Sequence, residues 1–166
     1  MLTDQYVPDW SAADGIREYI TNALDSPAEF QYFIEDDCIE LTSVGIQLPI
    51  SCLFLGKSGN RDNPDAVGKH GEGSLVGAIP ILREGLSLTF LNGSVAWHPE
   101  LVYNEELDLT SLVIKEVPNN SEQRSFTVVI SGMDSSLIDE VVDNCLYLRH
   151  DLGKCLEGEK GRVLLD

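Results

Sequence analysis

Positive charge is scarce in this sequence: 11 Lys and Arg stand against 28 Asp and Glu, a formal net charge of −17. That balance excludes wrapping a nucleic-acid backbone, which needs a basic face, and leaves room for a protein partner with a basic surface. Cysteine is also sparse. Cys38, Cys52, Cys145 and Cys155 are scattered with no close pair at zinc-ligand spacing, so they read as reduced thiols rather than a disulfide framework. No apolar run is long enough to span a bilayer, and the N-terminus carries no apolar leader, so no membrane role and a cytoplasmic location are expected. Gly-x-Ser-x-Gly and His-Glu-x-x-His are missing, and Lys57-Ser58 follows a single glycine without the upstream glycine that a P-loop needs.

What is present fits one domain of 166 residues with 43% apolar composition, long enough to bury a core. Ser11 with Asp14 three residues on makes a capping box, followed by Ile16, Ile20 and Leu24 in a stripe closed by Ser26-Pro27. Phe30–Glu35 and Cys38–Thr42 read as strands, 43–49 as a loop, and Ile50–Leu55 as a short helical run. A polar loop, 59–69, leads to a helix over Glu72–Arg83 in which Pro80 predicts a kink. Leu86–Leu91 and Ser94–His98 form a hairpin across Asn92-Gly93, followed by strands at Leu109–Val117 and Ser125–Ser131. A helix is expected over Ser135–His150, and Val163-Leu164-Leu165 is a candidate last strand. These elements predict an α+β, two-layer sandwich with a mixed, mostly antiparallel sheet and helices on one face.

Two constellations carry chemistry. Glu18, Asn22 and Asp25 fall on one face of the first helix, opposite its apolar stripe. The plain alternative is a solvated helix face. Against it stands asparagine, a poor mid-helix residue. The functional reading gives Asn22 to Mg²⁺ through its amide oxygen and Glu18 to the attacking water as a general base. The second is the run Gly56-Lys57-Ser58 … Gly68-Lys69-His70-Gly71-Glu72-Gly73. Glycines at a helix start free N–H groups for a phosphate, and Lys57, Arg61, Lys69 and His70 make this loop locally basic. An acidic chain repels a bare polyphosphate, so such a ligand needs Mg²⁺ and this pocket. The alternative is an ordinary flexible turn.

In this order the two constellations resemble the GHKL ATPases, the superfamily of the gyrase B subunit, heat-shock chaperone ATPases, mismatch-repair ATPases and histidine kinases. Arg17-Glu18-Tyr19-Ile20-Thr21-Asn22-Ala23-Leu24-Asp25 is similar to the first motif. Leu55-Gly56-Lys57-Ser58 with Val67-Gly68-Lys69-His70-Gly71-Glu72-Gly73 is similar to the lid and second glycine motif. Ser125-Phe126-Thr127-Val128 loosely resembles the late strand beside the adenine. The resemblance spans roughly residues 10–131 and implies a Bergerat-type fold and a single ATP- and Mg²⁺-binding domain with slow hydrolysis.

On that resemblance, Glu18 is the base and Asn22 the metal ligand. Asp25, Ser43, Gly45, Lys57, Ser58, Lys69, His70, Gly71, Glu72, Gly73 and Ser125 complete the nucleotide site. One departure stands out. The family carries Asp-x-Gly-x-Gly where this chain reads Ser43-Val44-Gly45-Ile46-Gln47, so serine replaces the aspartate that meets the adenine amino group and Gln47 replaces the second glycine. A weakly catalytic or inactive GHKL-like protein that binds a basic partner surface is therefore the alternative reading.

Overall fold

In the computed structural model, residues 2–53, 73–145, 147–148, 155–158 and 161–164 are described; for 73–74, 155–158 and 161–164 this is the backbone course alone. The chain folds as an α+β two-layer sandwich. Helix α1 (Ala12–Leu24) is followed by β1 (Glu29–Glu35), β2 (Cys38–Val44) and a single 3-10 turn at Ile50–Leu53. Then come α2 (Gly73–Arg83), β3 (Ser87–Asn92), β4 (Val95–Asn104), β5 (Leu109–Pro118), β6 (Ser125–Ser131) and α3 (Ser135–Asn144). A separate antiparallel pair, β7 (Cys155–Gly158) and β8 (Gly161–Leu164), closes the described chain.

The main sheet has the order β1-β2-β6-β3-β4-β5, and every pairing in it is antiparallel. The expected mixed sheet is thus purely antiparallel. One face packs against the helices. Ile39, Leu41, Leu88, Phe90, Trp97, Val128 and Ile130 point inward from the strands and meet Ile16, Tyr19 and Ile20 of α1 with Ala78 and Ile81 of α2. Alternation along each strand sends Thr42, Thr127, Val129 and Thr89 to the opposite face, where the Thr42 and Thr127 hydroxyls pair at 2.9 Å.

The α1 start is built as its sequence predicts. Ser11 Oγ accepts from the Asp14 amide at 3.3 Å, and the Ser11 amide donates to Asp14 Oδ2 at 3.0 Å. That hydrogen bond from the Ser11 backbone holds the Asp14 carboxyl below its ordinary value, aided by the Ser11 hydroxyl and Arg17 against partial burial. A second clamp comes from the far end of α2. Glu84 Oε1 accepts from the Ala12 amide at 2.7 Å, a carboxylate at a helix N-terminus where the dipole favours it. The neighbouring Arg83 guanidinium donates to the carbonyl oxygens of Asp4 (3.1 Å), Val7 (3.3 Å) and Trp10 (2.6 Å) and pins the N-terminal segment. Thr3 bridges to Ser111, so that segment also lines the outer edge of β5.

Several expectations shift. Helix α2 runs through Pro80 without interruption, and the proline is fully buried against α1. Helix α3 stops at Asn144 instead of reaching His150; Leu148 is still buried, but from a turn. The β3–β4 loop is Gly93-Ser94, one residue later than expected, because Asn92 pairs with Val95 as the last strand residue. Gly93 takes φ +60°, a conformation a two-residue hairpin loop demands. Strand β2 includes Ser43 and Val44, and β4 extends to Asn104.

Candidate nucleotide site at the α1–α2 end of the sandwich

Helices α1 and α2 run antiparallel and touch backbone to backbone. A methyl group added at Gly15 would overlap the Gly77 carbonyl oxygen and lie 3.0 Å from Pro80 Cγ. One added at Gly77 would lie 3.0 Å from the Gly15 carbonyl oxygen and 3.5 Å from Glu18 Cβ. Ala12 is joined to Glu84 at one end. Continuing the antiparallel register from the Gly15–Gly77 contact brings Asn22 level with the first turn of α2, where Gly73 begins the helix. The negative end of one helix dipole and the positive end of the other therefore sit side by side.

The same end holds Ser43. Strand β3 starts at Ser87, three residues beyond Glu84, so the α1 N-terminus lies over the Ser87–Ser131–Cys38 end of the sheet. The α1 C-terminus points the other way, toward the inward-facing row Ser43–Phe126–Asn92. One row before it, Tyr19 meets Phe90 edge-on at 5.6 Å between ring centroids, and Phe90 stacks on Phe126 at 5.8 Å. Burial, reinforced by the charge of adjacent Glu18, raises the Tyr19 phenol well above its usual range, so it stays neutral.

Three polar groups at this end are informative. The Asn22 side-chain amide nitrogen is sealed from solvent and finds no hydrogen-bond partner among the described residues, a costly arrangement that invites a polar guest. Ser43 is 4% exposed, and among the described residues its hydroxyl makes no hydrogen bond. Asn92, by contrast, is fully used: its amide donates to the Leu48 carbonyl and accepts from the Leu48 amide, each at 2.8 Å. That clip holds the segment after β2 across the sheet end and brings Gln47 against Gly93. Gly45 has φ +83°, which a side chain would strain, and its amide donates to the Arg124 carbonyl at 2.8 Å.

The residues named from the sequence thus divide clearly. Glu18, Asn22, Asp25 (the α1 C-cap), Ser43, Gly45 and the Gly73 backbone share one end of the sandwich. Ser125 also lies at that end, but it is aligned with Val44, so its side chain takes the opposite sheet face from Ser43. Lys57, Ser58, Lys69, His70, Gly71 and Glu72 lie outside the described residues. Reasoning from sequence overlooked Phe126 as the neighbour of Ser43, Asn92 as the clip and the Gly15–Gly77 contact. Asn92 is legible in the sequence as a turn residue and Phe126 as part of the late strand Ser125-Phe126-Thr127-Val128.

Among the described residues no group of three or more His, Cys, Asp or Glu side chains is gathered to hold a metal. No helix among them is long and apolar enough to cross a membrane. A separate surface cleft of about 280 Å³ lies on the other flank of α1, lined by Asp14, Arg17, Glu140 and Cys145 among others. None of the nucleotide-site residues predicted from the sequence lines it, and the Asp14–Arg17 ion pair at 3.3 Å occupies its wall. Neither a family model nor a curated protein matches the sequence.

Proposed function

We propose that this chain is a Mg²⁺-dependent ATP-binding domain that hydrolyses ATP slowly, with nucleotide-gated lid closure regulating a protein partner. The reading is supported by the orphaned Asn22 amide nitrogen and by the topology that puts Asn22, Ser43 and the first turn of α2 at one end of the sandwich. These are groups for three parts of one nucleotide: cation, base and phosphates. The residues fit Mg²⁺ sparingly. Asn22 offers one amide oxygen, and a small hard ion that keeps most of its waters needs little more from the protein. Its amide nitrogen, unpaired in the fold, can donate to a phosphate oxygen or a metal-bound water. The bound ion would offset phosphate charge that this acidic chain otherwise repels.

Glu18 sits one turn before Asn22 on the same face, half-buried beside Gly77, where it can accept a proton from a water aimed along the α1–α2 seam. The backbone of the α2 start would cradle phosphate, with Lys57 and Lys69 supplying charge from the loop before it. Titration calorimetry with Mg²⁺-ATP followed by a phosphate-release assay tests this. Wild type should bind and turn over, and Glu18→Ala should bind while losing turnover. Turnover that survives the substitution removes Glu18 from the base role, and no binding at millimolar nucleotide removes the proposal.

A second reading, a GHKL-like interaction protein with little catalysis that binds a basic partner surface, is favoured by one observation. Gln47, standing where the resemblance expects a glycine, packs against Gly93 and fills that turn. Binding without phosphate release selects it.

A further inference from the structure

We propose that β1 is a docking edge for an extended, basic segment of a partner protein, which adds to the sheet as a further strand. The fold treats the two edges of the sheet differently. At β5 the N-terminal segment lies alongside: Thr3 bridges to Ser111, the Leu112 amide donates to the Leu2 carbonyl at 2.9 Å and the Asp4 amide to the Thr110 carbonyl at 3.2 Å. At β1 no described segment does so. It ends the strand order, and its seven residues pair without a bulge from Glu29↔Val44 to Glu35↔Cys38, on the β2 side alone. An edge strand turns a row of backbone donors and acceptors outward, and proteins usually blunt it with proline, lysine, a bulge or a cover. Glu29-Phe30-Gln31-Tyr32-Phe33-Ile34-Glu35 has no proline, no lysine and no bulge.

The side chains of β1 define what fits. Phe30, Tyr32 and Ile34 face the helices at the margin of the core and are only partly buried, with the Phe30 and Tyr32 rings stacked at 6.0 Å. A further strand would extend that apolar face with every second residue. Glu29, Gln31, Phe33 and Glu35 are exposed on the other face, where the Gln31 side-chain amide donates to Glu29 Oε1 at 2.9 Å and Phe33 lies opposite Glu40. The strand and its turn, residues 29–37, hold four carboxylates and no Lys or Arg. That charge rejects a second copy of this chain. Antiparallel pairing about Tyr32 sets Glu29 of each copy against Glu35 of the other, and like charges directly opposite are destabilising. The complement is a segment with Lys or Arg at both positions that meet Glu29 and Glu35, and apolar strand-formers on the face that continues Phe30, Tyr32 and Ile34. None of these residues belongs to the nucleotide-site reading, and the inference stands independently of it.

The test uses the full chain without nucleotide and the end-blocked, fluorescently labelled peptide Lys-Val-Thr-Val-Thr-Val-Lys, read by anisotropy at low salt and by amide hydrogen exchange. In antiparallel register its lysines meet Glu35 and Glu29, and its valines lie beside Ile34, Tyr32 and Phe30. The peptide should bind saturably and protect alternate amides of β1. Its counterpart with Glu at both ends should bind about tenfold more weakly or worse, as two cross-strand pairs turn from attraction to repulsion. Glu29→Lys/Glu35→Lys changes two exposed side chains and, with its fold checked by circular dichroism, should invert that preference. No binding, a preference that the double variant leaves unchanged, or protection confined to other parts of the sheet overturns the inference. So does a wild-type dimer in sedimentation whose assembly protects the same β1 amides, since a second copy then takes the edge. None of these outcomes bears on nucleotide binding.

Discussion

Replacing Gly15 by alanine should destabilise the protein even though alanine is the better helix former. The gain is easily stated: in a helix interior glycine costs about 1 kcal/mol relative to alanine. The loss comes from contact. A Gly15 methyl group overlaps the Gly77 carbonyl oxygen and stands 3.0 Å from Pro80 Cγ and 3.1 Å from Ile81 Cγ1. The first obstacle is backbone and the second a rigid ring, both in a fully buried part of α2, so neither can rotate away. Helices α1 and α2 must move apart, and overpacking of this kind costs about 1–3 kcal/mol, more where backbone is the obstacle. The net expectation is a loss of about 1–2 kcal/mol, or roughly 2–8 °C in Tm for a domain of this size.

Gly77→Ala supplies the internal control. Its methyl group meets the Gly15 carbonyl oxygen at 3.0 Å and the Glu18 Cβ and Tyr19 Cε2 atoms at 3.5 Å. Two of these are ordinary contacts, and the first needs only a few tenths of an ångström, so the propensity gain of about 1 kcal/mol should nearly cancel the strain. Urea denaturation followed by circular dichroism measures both variants. A Gly15→Ala protein as stable as wild type, or less affected than Gly77→Ala, would refute the backbone-contact argument. Because the crossing fixes the distance from Asn22 to the first turn of α2, Gly15→Ala should also weaken whatever occupies that end.

Other outcomes follow from the clamps and thiols. Arg83→Met keeps the side-chain stem but loses charge-assisted bonds to the carbonyls of Asp4, Val7, Pro8 and Trp10, and should lower stability by about 1.5–3 kcal/mol with faster proteolysis before Ser11; an unchanged urea midpoint counts against the clamp. The Asp14 carboxyl, held low by the Ser11 amide, contributes stability that is full above its unfolded value of 3.8 and is lost as pH falls through the lower folded value. Asp14→Asn should therefore flatten the decline of the urea midpoint below roughly pH 4, and an acid limb identical to wild type would contradict this. Burial raises the Cys52 thiol to about 11, so at pH 8 native Cys52 should react with iodoacetamide about a hundredfold more slowly than in urea. Equal rates by mass spectrometry would place that thiol in water.

Where the sequence was a good guide, a local signal and a buried stripe agreed. The Ser11/Asp14 box and the spacing of Ile16, Ile20 and Leu24 mark α1, and Ser125–Ser131 was read with its observed bounds. It misled where periodicity has two structural solutions. Leu137, Val141, Cys145 and Leu148 suit one helix face, yet the chain leaves the helix at Cys145 and still buries Leu148. Pro99 hid the length of β4, since proline removes a ladder donor. It is tolerated because β3 pairs with β4 only as far as Trp97, so Pro99 has a sheet neighbour on one side alone. At the site, Asn22 was conspicuous as a mid-helix asparagine, whereas Gly15 and Gly77 are distant in sequence and meet only through the helix crossing.

That crossing decides which groups the open end of the helix pair presents. Arg83 and Glu84 fasten the closed end of the helix pair to the N-terminal segment and the α1 cap, so the pair is anchored far from Asn22. Gly15 and Gly77 then let the helices approach to backbone contact, and Gly15 is the position where a side chain would force them apart. The approach brings the donor-rich start of α2 beside a helix face that carries Glu18 and Asn22. Asn92 holds the segment after β2 across the sheet end, in the row that carries the buried Ser43. The one buried side-chain polar atom left without a partner among the described residues, Asn22 Nδ2, thus lies at the open end of the helix pair. An acidic surface around that end would repel a free polyphosphate and spare one already carrying its cation, which makes loss of binding on chelating Mg²⁺ with EDTA the sharpest single check on the proposed ligand.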